Sequence, residues 1–165
     1  MQSTVYKERQ FFRNSFVLML LLGIVLMTMW AMIQQIFLGK PFGNNPAPDS
    51  FVILFSMFPI IFILFFLFMR LDTVIDEHKI SVVLSPFGRR TIEWKDVQKA
   101  YIRTYKPIME YGGWGIRYGF GNKGMAFNVD GNKGLQLELN NGKKILIGTK
   151  KVNELAEYLK QINKA

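Results

Sequence analysis

Few side chains in this sequence are spaced for chemistry. Gly119-Phe-Gly-Asn-Lys-Gly124 matches the GxGxxG spacing with which a glycine-rich turn lays backbone N–H groups against a pyrophosphate. That use requires a strand before the turn and a helix after it, whereas the alternation of Met125, Phe127 and Val129 predicts a following strand. The glycines therefore read as a turn or bulge between strands. Asp72 with Asp76, or Glu93 with Asp96, can be imagined as carboxylate pairs for general acid–base work. Each lies beside a predicted turn, where charge is ordinarily solvated, and without a pocket to shift their pKa values neither pair is expected to be catalytic. His78 is the single histidine and cysteine is absent, which excludes disulfides, thiolate metal sites and a cysteine nucleophile. No GxSxG, HExxH or P-loop pattern occurs. The sequence thus predicts no catalytic residue, no metal ligand set and no cofactor.

The best binding candidate is the stretch from Lys106 to Arg117. Tyr111 and Trp114, separated by glycines and followed by Arg117, can offer aromatic and guanidinium surface to a peptide, a lipid headgroup or a second subunit. The competing reading places Trp114 inside the sheet while the glycines let the strand bend, and it weighs more because a small barrel needs large aromatics within. Arg89 and Arg90, at a neighbouring turn, can touch anionic lipid, each worth about 1 kcal/mol near such a surface. Tyr101, Arg103 and Tyr105 alternate on one strand face without an RNA-binding signature, so nucleic acid is not expected as a partner.

The elements that position these residues begin with two apolar runs. Residues 16–38 and 51–69 carry no charged side chain, and at ~1.5 Å rise per residue each suffices to cross ~30 Å of hydrocarbon. The first is longer than a secretory h-region and no small-x-small cleavage site closes it, so it reads as an uncleaved span. Residues 39–50 hold three prolines and two glycines, which forbid a continuous helix and predict an extracytoplasmic loop. Pro59, within the second span, predicts a kink. Lys7, Arg9 and Arg13 in segment 1–15 and Arg70 flank one end of the hairpin, whereas the loop offers only Lys40. The basic excess places both termini in the cytoplasm. No ionisable residue lies inside either span, which argues against ion or proton transport by a single chain.

Residues 70–165 hold 17 of the 21 basic and 10 of the 12 acidic residues, a net charge of +7. From Leu71 the hydrophobic period falls to two, predicting strands near 71–76, 80–85, 90–94, 99–106, 115–120, 124–129, 134–140 and 143–148. Leu135, Leu137 and Leu139 alternate with Gln136, Glu138 and Asn140, and Asn141-Gly142 supplies a tight hairpin turn. The expected arrangement is an antiparallel meander. Val152, Leu155, Leu159 and Ile162 then form one apolar stripe of a helix that closes the open end of the bent sheet.

This layout of short up-and-down strands finished by an amphipathic helix resembles a pleckstrin-homology (PH)-like domain. The chain is similar to bacterial membrane proteins in which a two-helix hairpin precedes such a domain, through Arg90-Thr-Ile-Glu-Trp94, Tyr111-Gly-Gly-Trp-Gly-Ile-Arg117, Asn128-Val-Asp-Gly-Asn-Lys-Gly134 and Leu146-Ile-Gly-Thr149. The resemblance covers residues 71–163 and implies an α+β membrane protein: a transmembrane hairpin, then a PH-like antiparallel β-barrel or sandwich closed by a C-terminal helix. Lipid-binding members elsewhere carry basic residues around the first hairpin, where this chain has Asp76-Glu-His-Lys79. The expected role is a non-catalytic interaction or assembly module at the inner face of a bacterial membrane, meeting a protein partner, another copy or the lipid surface. The alternative is an enzyme or transporter subunit with an unrecognised polar site.

Overall fold

The structure is a computed structural model that describes residues 5–164. The chain forms two compact units, Met1–Phe12 with Met69–Ala165, and Arg13–Phe68.

The second unit is a pair of apolar helices. Asn14 opens α1 (Ser15–Met32), its side-chain oxygen accepting from the N–H of Val17 at 3.1 Å, and α1 runs on into a π-helical turn at Ile33–Phe37. The continuous 23-residue stretch and the 20-residue α2 (Asp49–Phe68) are each long and apolar enough to cross a membrane. Only 6% and 11% of their apolar windows is buried, so neither is the core helix of a globule. Small residues sit where they meet. Thr28 and Ser56 are buried, and the Ser56 hydroxyl stands 2.7 Å from the carbonyl of Val52 and 3.4 Å from that of Thr28. The connection is tied down by Gln35, whose Nε2 donates to the Ala47 carbonyl at 2.6 Å and to Asp49 Oδ1 at 2.7 Å.

The first unit is built on two sheets. One is a four-stranded antiparallel sheet in the order β1 (Tyr6–Phe11), β2 (Arg70–Ile75), β3 (Lys79–Ser85), β4 (Gly88–Glu93). Strand β1 lies in segment 1–15, ahead of the first apolar run, where the sequence predicts no strand. Its inward row is Tyr6, Glu8, Gln10, followed by Phe12, and its outward row is Lys7, Arg9 and Phe11, so polar residues occupy both faces and mask the period-two signal. Opposite it, Leu71, Ile75, Ile80, Val82, Leu84 and Ile92 are buried.

The second sheet follows a 3-10 turn at Trp94–Asp96 and contains β5 (Val97–Thr104), β6 (Gly115–Tyr118), β7 (Met125–Asn128), β8 (Lys133–Leu139) and β9 (Lys144–Gly148). Its order is β5-β8-β9-β7-β6. Two expectations are corrected here. The sheets do not close into a barrel, because the 3-10 turn separates β4 from β5 and each sheet keeps its own ladder. Nor is the arrangement wholly up-and-down. The Asn141-Gly142 hairpin folds β9 back into the slot between β8 and β7, where it must run parallel to β7, Ala126 opposite Leu146.

Leu135, Leu137, Leu139, Ile145, Ile147 and Phe127 bury the inward face of this sheet. Helix α4 (Val152–Gln161) adds Leu155, Tyr158 and Leu159, and the Tyr158 ring lies 5.9 Å from that of Tyr6, fastening the C-terminal helix to the N-terminal strand.

Candidate functional site

The segment 106–124 covers the other face of the five-stranded sheet. Cross-strand register places Tyr101, Gln136 and Leu146 in one outward row, with Ala126 beside Leu146 and Arg117 beside Ala126. A short helix α3 (Pro107–Tyr111) crosses above them, begun by Pro107 and ended by Gly112 in the left-handed conformation at φ 70°. Its last residue, Tyr111, turns down onto the sheet and packs with Tyr105, Ala126 and Leu146 in a second small core. The Tyr105 and Tyr111 rings meet edge to face at 6.0 Å.

Arg103 organises the polar rim of that core. Its Nε donates to Gln136 Oε1 at 2.9 Å, its Nη2 to the Tyr111 hydroxyl at 3.1 Å, and it pairs with Glu110 at 2.9 Å. Glu110 also accepts from the N–H of Lys106 at 2.8 Å, and the Tyr111 hydroxyl donates to the carbonyl of Lys123 at 3.3 Å. Partial burial works against charge on Glu110, but the Arg103 hydrogen bond and the Lys106 N–H outweigh it and hold the carboxyl below its ordinary value. Burial likewise opposes charge on Arg103, and the Glu110 bond overrides it. Burial raises the Tyr105 hydroxyl to about 12, against the lowering effect of its Asn128 hydrogen bond, and raises that of Tyr111. The Asn128 side chain donates to Tyr105 at 3.1 Å and accepts from the Gly115 N–H at 3.0 Å, so the glycine-rich strand is pinned from beneath.

The structure divides the predicted site residues. Tyr111 is 2% exposed and belongs to the interior. Trp114 is half-buried, and its indole N–H is buried without a hydrogen-bond partner. Arg117 is exposed, its Nε donating to the carbonyl of Trp114 at 2.9 Å. The three therefore form no continuous open surface. Arg89 and Arg90 are adjacent on β4 and point to opposite faces, Arg89 exposed opposite Val83 and Arg90 half-buried opposite Val82.

The GxGxxG letters are explained by close packing. A Cβ at Gly119 would stand 2.8 Å from the Tyr111 ring, and one at Gly124 would collide with the Lys144 carbonyl. The strand β7 follows, so no helix opens from this loop. Among the described residues, no three of His, Asp and Glu converge as a metal site.

Two polar groups had no legible signal in the sequence. Arg103 gave only its place in an alternating strand, and its partners Glu110 and Gln136 are 7 and 33 residues away. Glu8 is buried at 5% exposure, accepting from the Tyr6 hydroxyl at 2.7 Å, the Thr149 hydroxyl at 2.7 Å and the Lys150 N–H at 2.8 Å. Its partners at 149 and 150 lie at the far end of the chain.

The sequence matches no protein-family model and no curated protein.

Proposed function

We propose that this chain is a membrane-anchored, non-catalytic interaction or assembly module, with a PH-like domain held at the inner face of a bacterial membrane by a two-helix hairpin. The observation that carries the reading is the combination of two long apolar helices left almost wholly unburied with their insertion between adjacent strands of one sheet. Unburied apolar surface on this scale needs a lipid or protein cover. Because β1 precedes the hairpin and β2 follows it, and the two are paired along their length, both flanks of the hairpin occupy one compartment. An even number of spans meets that condition, and the basic flanks Lys7, Arg9, Arg13 and Arg70 favour the cytoplasmic side.

The PH-like assignment draws support from two sheets followed by a C-terminal helix packed on the core. The extra strand β1 and the parallel β7–β9 pair are departures from the simple up-and-down layout. The non-catalytic reading draws support from the polar cluster around Arg103, whose groups are spent on holding α3 to the sheet. A protein partner or a second copy is the expected client, with the leaflet itself as a third surface.

The test is single-cysteine accessibility in sealed membrane vesicles, made simple by the absence of native cysteine. Labels at Lys7 and Lys164 are expected to react only from the cytoplasmic side, and a label at Asn45 only from the other. Reaction of all three from one side, or release of the protein by alkaline carbonate, would refute the anchor. Crosslinking in the membrane followed by identification of captured chains then tests the partner.

A further inference from the structure

The outward face of the four-stranded sheet is half-buried at β2 and β3 and exposed along β1, and its charge is uneven. Register places Arg9, Asp72, Val83 and Arg89 in one outward row and Phe11, Arg70 and Ser85 in the next, at the end where the chain passes to and from the hairpin. Asp72 is the one acid of these two rows, and it is shared, 2.6 Å from Arg9 and 3.2 Å from Arg70. Three guanidinium groups against one carboxylate leave this end positive, whereas at the opposite end Lys79 faces Glu93 across the ladder. The β3–β4 turn extends beyond the last row and carries Phe87 at 57% exposure, while Phe11 keeps 41%. Exposed aromatic rings at the end of the sheet that carries Arg9, Arg70 and Arg89 suit a boundary between headgroups and acyl chains.

Covalent geometry limits how far this end can stand from a bilayer. Phe12 and Met69 are the residues through which the unit joins the helices, and they are themselves bonded, N–H to carbonyl, at 3.0 Å. Ser85 lies opposite Arg70, one strand away, so the turn bearing Phe87 starts ~5 Å from the point of exit. We propose that the exit end of this sheet, through Arg9, Arg70, Phe87 and Arg89, rests on the anionic headgroup layer of the membrane that holds the helices. The proposal rests on the membrane-anchored reading above and names the lipid leaflet as the ligand of this face.

The experiment uses the full chain in nanodiscs of phosphatidylcholine alone or with one quarter phosphatidylglycerol. A nitroxide is placed at one cysteine in each of three variants, Phe87→Cys, His78→Cys and Leu64→Cys, and its contact with oxygen and with a water-soluble nickel chelate is measured. In anionic discs the label at 87 is expected to show a several-fold higher oxygen-to-nickel contact ratio than the label at 78, which lies in the turn at the opposite end of the sheet. Adding Arg89→Glu, or removing the phosphatidylglycerol, is expected to lower the ratio at 87 and leave that at 64 at bilayer depth. A label at 87 as aqueous as that at 78, with 64 at bilayer depth, overturns the leaflet contact and spares the anchor. An aqueous label at 64 overturns both. Equal ratios at 87 in the two lipid compositions overturn the selection for anionic headgroups.

Discussion

The N–H of Phe12 donates to the carbonyl of Met69 at 3.0 Å, although 56 residues of hairpin separate them. That bond continues the β1–β2 ladder, in which Phe11 lies opposite Arg70, to the points where the chain enters and leaves the helical unit. Phe12, Arg13 and Asn14 join β1 to α1, and Met69 alone joins α2 to β2. Strand β1, contributed from before the hairpin, brings Tyr6, Glu8 and Gln10 into the core of the first unit.

Glu8 tests that contribution. Its carboxylate is buried with three hydrogen bonds, so Glu8→Ala, which removes the acceptor of the Tyr6 and Thr149 hydroxyls and the Lys150 N–H, should cost ~2–4 kcal/mol. Glu8→Gln retains acceptor capacity and should cost less. Chemical denaturation of the detergent-solubilised chain measures both, and equal stability of Glu8→Ala and wild type would show that β1 is dispensable.

Tyr111 and Arg117 separate the interior from the surface. Truncating Tyr111 to Ala empties the second small core and should cost ~3–5 kcal/mol, whereas Tyr111→Phe loses the Arg103 and Lys123 bonds for ~1 kcal/mol. Arg117→Ala should leave stability within ~0.5 kcal/mol, since its side chain is exposed. A loss of partner capture on Arg117→Ala with unchanged denaturation would locate a contact at the surface, whereas the same loss on Tyr111→Ala would report unfolding of the α3 cover.

The loop that carries the GxGxxG letters should respond to alanine unevenly. Gly121 has φ 63° with open space around it, so Gly121→Ala should cost ~1 kcal/mol from the backbone alone. Gly124 has φ 77°, and an added Cβ would collide with the Lys144 carbonyl, so Gly124→Ala should exceed it and disturb the β7–β9 pairing. Amide exchange across Met125–Asn128 reads the difference, and equal protection in the two variants would contradict the packing described.

The cover formed by α3 should open with acid and with alkali. The Glu110 carboxyl is held below its ordinary 4.5, so its stabilisation is complete above that value and is lost as pH falls through the lower folded value. Tyr105 is raised to about 12, so its contribution is complete below 10.0 and is lost as pH rises toward 12. Trp114 fluorescence in a Trp30→Phe, Trp94→Phe background follows both limbs. Glu110→Gln should remove the acid limb and Tyr105→Phe should diminish the alkaline one, and unchanged limbs in these variants would assign the titrations elsewhere.

The sequence by itself determined the elements whose signal is local. The two charge-free runs predicted helices at 16–38 and 51–69, and the structure has them at Ser15–Phe37 and Asp49–Phe68, because length and uniform apolarity need no distant partner to be recognised. The Leu135–Leu139 alternation, the Asn141-Gly142 turn and the C-terminal stripe were equally legible, since each records a period or a turn within a few residues. The tertiary structure alone decided what depended on remote neighbours. Strand β1 was hidden because Glu8 and Gln10 face inward, and a buried carboxylate is acceptable only once Tyr6, Thr149 and Lys150 come to meet it. The parallel β7–β9 pair followed from where a hairpin found an open slot, which no periodicity encodes. Tyr111, chosen as a surface candidate for its chemistry, went inside because Ala126 and Leu146 leave room for its ring and Arg103 satisfies its hydroxyl. Type and spacing describe what a side chain can do, and packing decides whether it remains free to do it.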